Sequence, residues 1–448
     1  MYLRHLHIEN LRLIRDLELD FVDGDGEPRM WTVLIGRNGA GKTSILQAIA
    51  LAAVGHLRAN QLAGATAVSM PDRRHPDDAM RIEATFGFGR LGDGQHRRRR
   101  EYPGHPLKPA QLRSSLSMPP NSADLVGGSE YLQHNLFGML NAEERIDPLQ
   151  EARSKELSHW FVAGYGVSRH LTVSDVEREV GKPSHDRLVP LFRPSPLIGL
   201  GFADFDEGVA KRFVKILRQV LTRTQDLVPD IRDVETGGRG GIKKAADLYD
   251  RDRFEQELPS GPLKLPATWL SHGYQASLAW LADLVGHYLL DVGEEGPGIL
   301  PAKMEGLVLI DEIDLYLHPR WQAGLVRALK ETFPRMQFVA TTHSPILLNA
   351  LRSEEVVMLY LDGEGNVRKH EGEHDPRLLT GTELYSQFFG IDRLYPSDLG
   401  DSLDRYSHLA VNPFRSDEED AEVHRLGREL RGEGIELTLD PVPREPEL

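Results

Sequence analysis

The chain has 448 residues, 40% hydrophobic and 27% charged, with a formal net charge of −15. It holds no cysteine, which excludes disulfides, thiolate metal centres and cysteine nucleophiles, and its acidity argues against a protein that coats nucleic acid over its whole surface. No apolar run reaches the roughly 18 residues of a membrane span, and the opening MYLRHLHIEN lacks the apolar core of a secretion signal, so a cytoplasmic protein is expected.

Leu3, Leu6 and Ile8, then Leu17, Leu19 and Phe21, alternate on either side of the polar corner Glu9-Asn10, which predicts two antiparallel strands. Trp31 to Ile35 is a short apolar, β-rich run, followed by GRNGAGKT over residues 36–43 and a helical stretch from Ser44 to Leu57. This is a complete match to G-x-x-x-x-G-K-[ST], a phosphate-binding loop. Gly36, Gly39 and Gly41 let the backbone curl so that its N–H groups face an anion, and the helix adds its positive end. Lys42 would reach the β- and γ-phosphates of ATP, and the Thr43 hydroxyl would ligate Mg²⁺. Asn38, Ala40 and Ser44 complete the set of residues expected to surround the phosphates.

Residues 80–90, MRIEATFGFGR, alternate strictly, and Gly92-Asp93-Gly94 predicts a hairpin returning through Gln95 to Tyr102. That return carries Arg97 to Arg100, either a contact for nucleic-acid phosphates or a charged edge strand that discourages aggregation. Residues 103–128, rich in Pro, Ser and Gly, predict an irregular insertion, and 129–160 read as mostly helical. Trp160 to Gly164 reads as a strand that runs into Tyr165-Gly166-Val167-Ser168-Arg169. Residues 207–228 are the clearest amphipathic helix, and 235–262 form a polar, glycine-bearing stretch.

Leu270-Ser271-His272-Gly273-Tyr274 precedes an apolar helix reaching about residue 290; a serine and a glycine at a helix start suit an N-cap or an anion site. Leu307 to Ile310 is apolar on both faces, as in buried parallel sheets, and leads directly into Asp311-Glu312. Ligands sit beyond the C-terminal ends of such strands, so Asp311 is placed to hold Mg²⁺ through water and Glu312 to deprotonate an attacking water. A helix from Pro319 to Phe333 and a second apolar strand, Gln337 to Thr341, complete a right-handed crossover. It brings His343, in Thr342-His343-Ser344-Pro345, to the same edge as a γ-phosphate sensor.

Together, GRNGAGKT (36–43), LSHGY (270–274), LVLIDE (307–312), Ile313-Asp314 and TTHSP (341–345) resemble an ATP-binding-cassette-type ATPase head. Heads of this kind occur in RecF, in SMC proteins and in the AAA-like ATPases of bacterial defence islands. The resemblance implies an α/β P-loop NTPase with a mixed β-sheet core, an antiparallel β subdomain, a helical insertion and a helical C-terminal segment. Residues 1–374 would form the head, with insertions at about 103–160 and 207–262, and 375–448 the C-terminal segment. It further implies that two heads sandwich two ATP molecules head to tail. Ser271 and Gly273 of one subunit would contact the γ-phosphate held by Lys42 of the other, with Asp314 coupling the two sites.

The signature departs from the family pattern in having Tyr274 at its fifth position with Gln275 next, and no Q-loop glutamine can be placed. Tyr165 to Arg169 resembles a YG-x-x-R segment of the defence-associated relatives. Residues 380–394 resemble the tail of the ATPase subunit of Septu-type anti-phage systems, and Ser416 to Glu419 reads as a capping box. No nuclease motif is evident in the chain. The leading expectation is therefore an ATP-hydrolysing switch that controls a separate effector such as a nuclease; a RecF-like DNA clamp and an ATP-dependent scaffold are the alternatives.

Overall fold

The computed structural model describes residues 1–87, 111–132, 149, 160–169, 186–195, 197, 207–223, 231–235, 253–266, 269–292, 301–371, 374–391, 396–437 and 439–443. They fall into two compact units, Met1–Leu378 and Leu379–Leu448. Among the described residues no helix is long and apolar enough to cross a membrane.

In the first unit, β1 (Tyr2–Leu11) pairs antiparallel with β2 (Ile14–Asp20) on one side and with β4 (Met80–Gly87) on the other. The period-two pattern read from the sequence puts Leu6, Ile8, Ile82, Ala84 and Phe86 on the buried face. Two further strands, β5 (Gln111–Met118) and β6 (Val126–Tyr131), complete the sheet in the order β2-β1-β4-β5-β6. The expectation of an irregular insertion over 103–128 is thereby corrected for its described part, 111–128. Leu112, Ser114, Leu116 and Met118 alternate inward, and the serine on that face obscures the apolar repeat. The hairpin return with Arg97 to Arg100 lies outside the described residues, and so does most of 129–160.

A six-stranded sheet has the order β14-β13-β3-β12-β11-β7. Its strands are β3 (Trp31–Gly36), β7 (Val162–Tyr165), β11 (Gly306–Ile310), β12 (Met336–Thr341), β13 (Val356–Leu361) and β14 (Val367–Glu371). All neighbours run parallel except β13 and β14. Strands β11 and β12 are buried at every position, as their unbroken apolar runs require. Helix α1 (Lys42–Val54) contacts strands of both sheets. A helix apolar all round must be covered all round, and Ile45, Leu46 and Ala48 to Val54 are accordingly buried. Helix α2 (His56–Ala63) follows directly.

Helix α3 (Glu207–Arg223) packs on β8 (Ile231–Glu235) and on α4 (His272–Val292). Strand β8 joins β9 (Arg253–Leu258) and β10 (Gly261–Pro266) in an antiparallel sheet of order β10-β9-β8. The polar, glycine-bearing stretch 235–262 thus contains β9 and the start of β10, strands that its sequence did not reveal. Its strands are half-solvated, and Phe254 is the one residue of β9 or β10 that is fully buried, which leaves almost no apolar alternation to detect. Helix α5 (Pro319–Thr332) joins β11 to β12.

The second unit contains α6 (Gly381–Phe389), α7 (Ser397–Ala410) and α8 (Asp417–Gly432). Both α6 and α8 open with capping boxes, Thr380 with Glu383 and Ser416 with Glu419. Helices α7 and α8 share a small core of Tyr406, Leu409, Ala410, Val423, Leu426 and Leu430.

Candidate nucleotide and catalytic site

The strands β3, β12, β11 and β7 run parallel, so the loops after their C-terminal ends share one edge of the sheet. These loops are 36–41, 341–344, 311–314 and 166–169.

In the first loop Gly36 has φ +151°, and a Cβ there would lie 2.3 Å from the Leu359 carbonyl oxygen of β13, so the close approach of two strands requires glycine. Gly39 (φ +84°) and Gly41 (φ +80°) take the left-handed turns. Gly41 caps α1 with no side-chain hydrogen bond, which leaves the helix start suited to an anion. Asn38 and Gly39 are exposed and Ala40 is buried. Lys42 is 7% exposed, and its Nζ donates to the carbonyls of Gly36 at 2.7 Å and Arg37 at 3.2 Å. Burial pushes its pKa below the usual lysine value, against the upward pull of Asp311, Glu312 and Asp314.

Thr43 Oγ1 donates to Asp311 Oδ2 at 2.7 Å, joining residues 268 positions apart. Thr341 Oγ1, at the end of β12, donates to Asp311 Oδ1 at 2.7 Å and accepts from the Glu312 backbone N–H at 2.7 Å. Glu312 itself has φ +47°, which a non-glycine residue seldom adopts. A hydroxyl and a carboxylate side by side are hard oxygen donors that fit Mg²⁺, which takes one or two protein ligands and fills its shell with phosphate oxygens and water. Among the described residues no group of three or more His, Asp or Glu forms a competing all-protein metal site.

A second network ties Asp314 to the loop that carries His343. Thr342 Oγ1 donates to Asp314 Oδ1 at 2.5 Å and accepts from Ser344 N–H at 3.0 Å. Ser344 Oγ donates to Gln322 Oε1 at 2.6 Å, while Gln322 Nε2 donates to the carbonyls of Leu317 at 2.9 Å and Asp314 at 3.3 Å. Between these fixed neighbours His343 is exposed.

Ser271 is exposed just before α4, and Gly273 is the second residue of that helix and is buried. A Cβ on Gly273 would sit 2.6 Å from the Tyr316 carbonyl oxygen, and the Tyr274 and Trp321 rings lie 4.4 Å apart. The start of α4 therefore packs against the turn that follows the acid pair. Among the described residues no backbone hydrogen bond joins Ser271 or Gly273 to the phosphate loop of its own chain.

Several residues of the site had no role assigned from the sequence, although TTHSP (341–345) and Tyr165 to Arg169 had been singled out. Thr341, Thr342 and Gln322 are common polar residues whose partners lie in other loops, although Thr341 and Thr342 stand at a strand end, which is the signal that could have flagged them. Arg12, in the β1–β2 turn with φ +53°, donates to Ser44 Oγ at 2.8 Å, and burial lowers its pKa. Arg169 is 2% exposed, and its Nη2 donates to the Glu312 carbonyl at 2.5 Å.

The sheet order and the four loops suit a nucleotide-binding head, and two stretches of the chain match AAA ATPase families. Residues 1–84 match the family model described as "AAA ATPase domain", and 212–349 the one described as "AAA domain, putative AbiEii toxin, Type IV TA system". The chain is similar to Septu proteins. It is 26% identical over 438 residues to the Septu protein PtuA of Bacillus mycoides (strain KBAB4), covering 96% of this chain and 50% of that protein. It is also 40% identical over 91 residues to the Retron Vc95 probable ATPase of Vibrio cholerae, covering 20% of this chain and 17% of that protein. The chain thus spans half or less of the length of these relatives. An SMC head solved with the C-winged helix domain of ScpA superimposes with a TM-score of 0.48 at 14% identity, over 83% of this chain and 98% of that one.

Proposed function

We propose that the protein is an ATP-binding and ATP-hydrolysing switch that dimerises head to tail around ATP and controls a separate effector in anti-phage defence. The observation that carries the reading is the hydrogen-bonded chain from Thr43 through Asp311 and Thr341 to Glu312, which joins the phosphate loop to the acid pair. The likeness to Septu PtuA and to a retron ATPase supports the defence setting.

In this reading Gly36, Asn38, Gly39, Ala40, Gly41, Thr43 and Ser44 wrap the phosphates with backbone N–H groups and hydroxyls, and Arg12 anchors Ser44. Lys42 exchanges its two loop carbonyls for the β- and γ-phosphates. Thr43 and Asp311 hold Mg²⁺, which supplies positive charge for the transferring phosphoryl group. Glu312 orients a water in line with the γ-phosphorus and takes its proton, and His343, exposed at the adjacent strand end, donates to the γ-phosphate oxygens. Ser271 and Gly273 approach the γ-phosphate of a second copy, with Asp314 at the shared interface. The first unit is the ATPase head, and the helices of the second unit are a docking element for the effector, such as a nuclease.

The test is steady-state ATP hydrolysis over a range of protein concentrations. Turnover per subunit that rises with concentration and falls by about 10²- to 10⁴-fold in Glu312→Gln is the expected result. Turnover independent of concentration removes the two-subunit site, and turnover unaffected by Glu312→Gln removes the assigned base.

A further inference from the structure

The proposed reaction gives no part to the segment Tyr165-Gly166-Val167-Ser168-Arg169. It leaves the C-terminal end of β7 beside the acid strand β11, where the Asp311 N–H donates to the Tyr165 carbonyl at 2.8 Å. Arg169 then turns back to the acid pair. Its Nη2 reaches the Glu312 carbonyl at 2.5 Å, and its Nη1 is buried with no hydrogen-bond partner among the described residues.

Stability is a poor account of such a residue. A guanidinium at 2% exposure with an unsatisfied donor is costly to desolvate, and an apolar side chain of similar volume would pack there with less penalty. Burial lowers the Arg169 pKa to about 10, with Asp311, Asp314, Glu312 and Tyr316 pulling it back up, so the group is still a cation at neutral pH. Glu312 meanwhile needs external support. At φ +47° its backbone is strained, and that geometry lasts only where its surroundings impose it. Both ends of the residue are tied: the N–H to Thr341 Oγ1 at 2.7 Å and the carbonyl to Arg169.

We infer that Arg169 is a positioning residue for ATP hydrolysis, holding the Glu312 carbonyl and so fixing the strained backbone from which the Glu312 carboxylate addresses the attacking water. It acts through its hydrogen bond to the Glu312 carbonyl. The inference rests on the ATPase reading above.

The full chain is tested as Arg169→Met, which removes the charge and keeps the bulk, and as Arg169→Lys, which keeps the charge and loses the planar fork. Turnover, KM, binding of a non-hydrolysable ATP analogue and the nucleotide-free unfolding midpoint are measured for each. A mispositioned base lowers kcat by roughly 10²-fold in Arg169→Met, with a smaller loss in Arg169→Lys. KM and analogue affinity stay within about threefold, and the unfolding midpoint does not fall. In single-turnover assays on Glu312→Gln, adding Arg169→Met changes the rate by less than about twofold, because two residues that act as one unit are not additive.

Unchanged kcat overturns the inference, as does an equal further loss in the Glu312→Gln background. So does a fall in affinity and unfolding midpoint in both variants that parallels kcat, since that pattern belongs to a structural residue. If the wild-type chain hydrolyses no ATP, the ATPase reading fails and this inference with it. Wild-type turnover with unaffected Arg169 variants overturns this inference alone.

Discussion

Thr341 is the most informative residue to perturb, because one hydroxyl serves both members of the acid pair. It is fully buried, donates to Asp311 Oδ1 at 2.7 Å and accepts from the Glu312 N–H at 2.7 Å. Thr341→Val keeps the shape and removes both bonds. The charge-assisted bond to Asp311 is worth about 1.5–3 kcal/mol, and an unsatisfied Glu312 N–H costs about 1–3 kcal/mol. The two share one atom and are not additive, so we expect a loss of about 3 kcal/mol, near 6 °C in unfolding midpoint at about 2 °C per kcal/mol for a large domain. Turnover should fall by at least about tenfold, because Glu312 loses one of the two ties on its strained backbone. Thr341→Ser is the control: it keeps the hydroxyl, loses a methyl worth about 1 kcal/mol, and should retain kcat within about threefold. Calorimetry without nucleotide and steady-state hydrolysis read the two effects separately. If valine and serine behave alike, or if valine leaves both midpoint and kcat in place, the shared-hydroxyl account is wrong.

Removing the Lys42 ammonium should abolish stabilisation by ATP: the wild-type chain gains about 2.7 kcal/mol at a hundred times Kd, and Lys42→Ala none, read as a thermal shift with Mg²⁺ and ATP. Gly273→Ala should cost about 1–3 kcal/mol without any nucleotide, because the added Cβ meets the Tyr316 carbonyl oxygen at 2.6 Å in the same chain; an unchanged nucleotide-free midpoint would mean that the glycine serves only the partner's phosphate. Burial raises the Asp72 pKa, but side-chain and backbone hydrogen bonds from Arg74 more than offset it, leaving a net value below the usual 3.8. That depressed carboxylate contributes stability above about pH 3.8 and loses it as the pH falls through the lower folded value. Arg74→Met removes the side-chain hydrogen bonds and the charge while the backbone N–H bond at position 74 remains, so the folded pKa rises relative to the wild type and the acid loss should begin at higher pH in unfolding midpoints measured from roughly pH 6 to 2; coincident profiles would remove the ion pair from the acid response.

The parts of the site that a short run of sequence can encode were legible before the fold was known. The loop from Gly36 to Thr43 dictates its own geometry through glycines, and the apolar strand before Asp311 announces burial on both faces. The two antiparallel strands at the N-terminus and the α5 crossover were also legible, because amphipathic alternation and uniform burial are local signals. What escaped was pairing between distant segments. β5 hides a serine on its inward face, and β9 and β10 are too solvated to show a repeat. Thr341, Thr342, Gln322 and Arg169 each acquire meaning only from an atom in another loop, at sequence separations from 8 to 143.

The two networks also bear on how one site informs another. Asp314 is tied to Thr342 by its side chain and to Gln322 by its carbonyl, while Ser344, on the far side of His343, is tied to Gln322 and Thr342. A displacement of His343 on meeting a γ-phosphate therefore cannot stay in its own loop. It must either break charge-assisted and neutral bonds of about 1–3 kcal/mol each or carry the Asp314 turn with it. The same turn contributes the Tyr316 carbonyl on which Gly273 rests, so the start of α4 is drawn into the same movement. In the head-to-tail pair proposed above, the residue assigned to sense one nucleotide and the residues assigned to the other would thus be parts of one hydrogen-bonded and packed block. Gln322→Leu removes its central amide without touching any residue assigned to nucleotide or water. It should leave ATP affinity intact while flattening the rise of turnover with protein concentration. If that rise is unchanged, Asp314 and His343 move independently, and the coupling lies elsewhere.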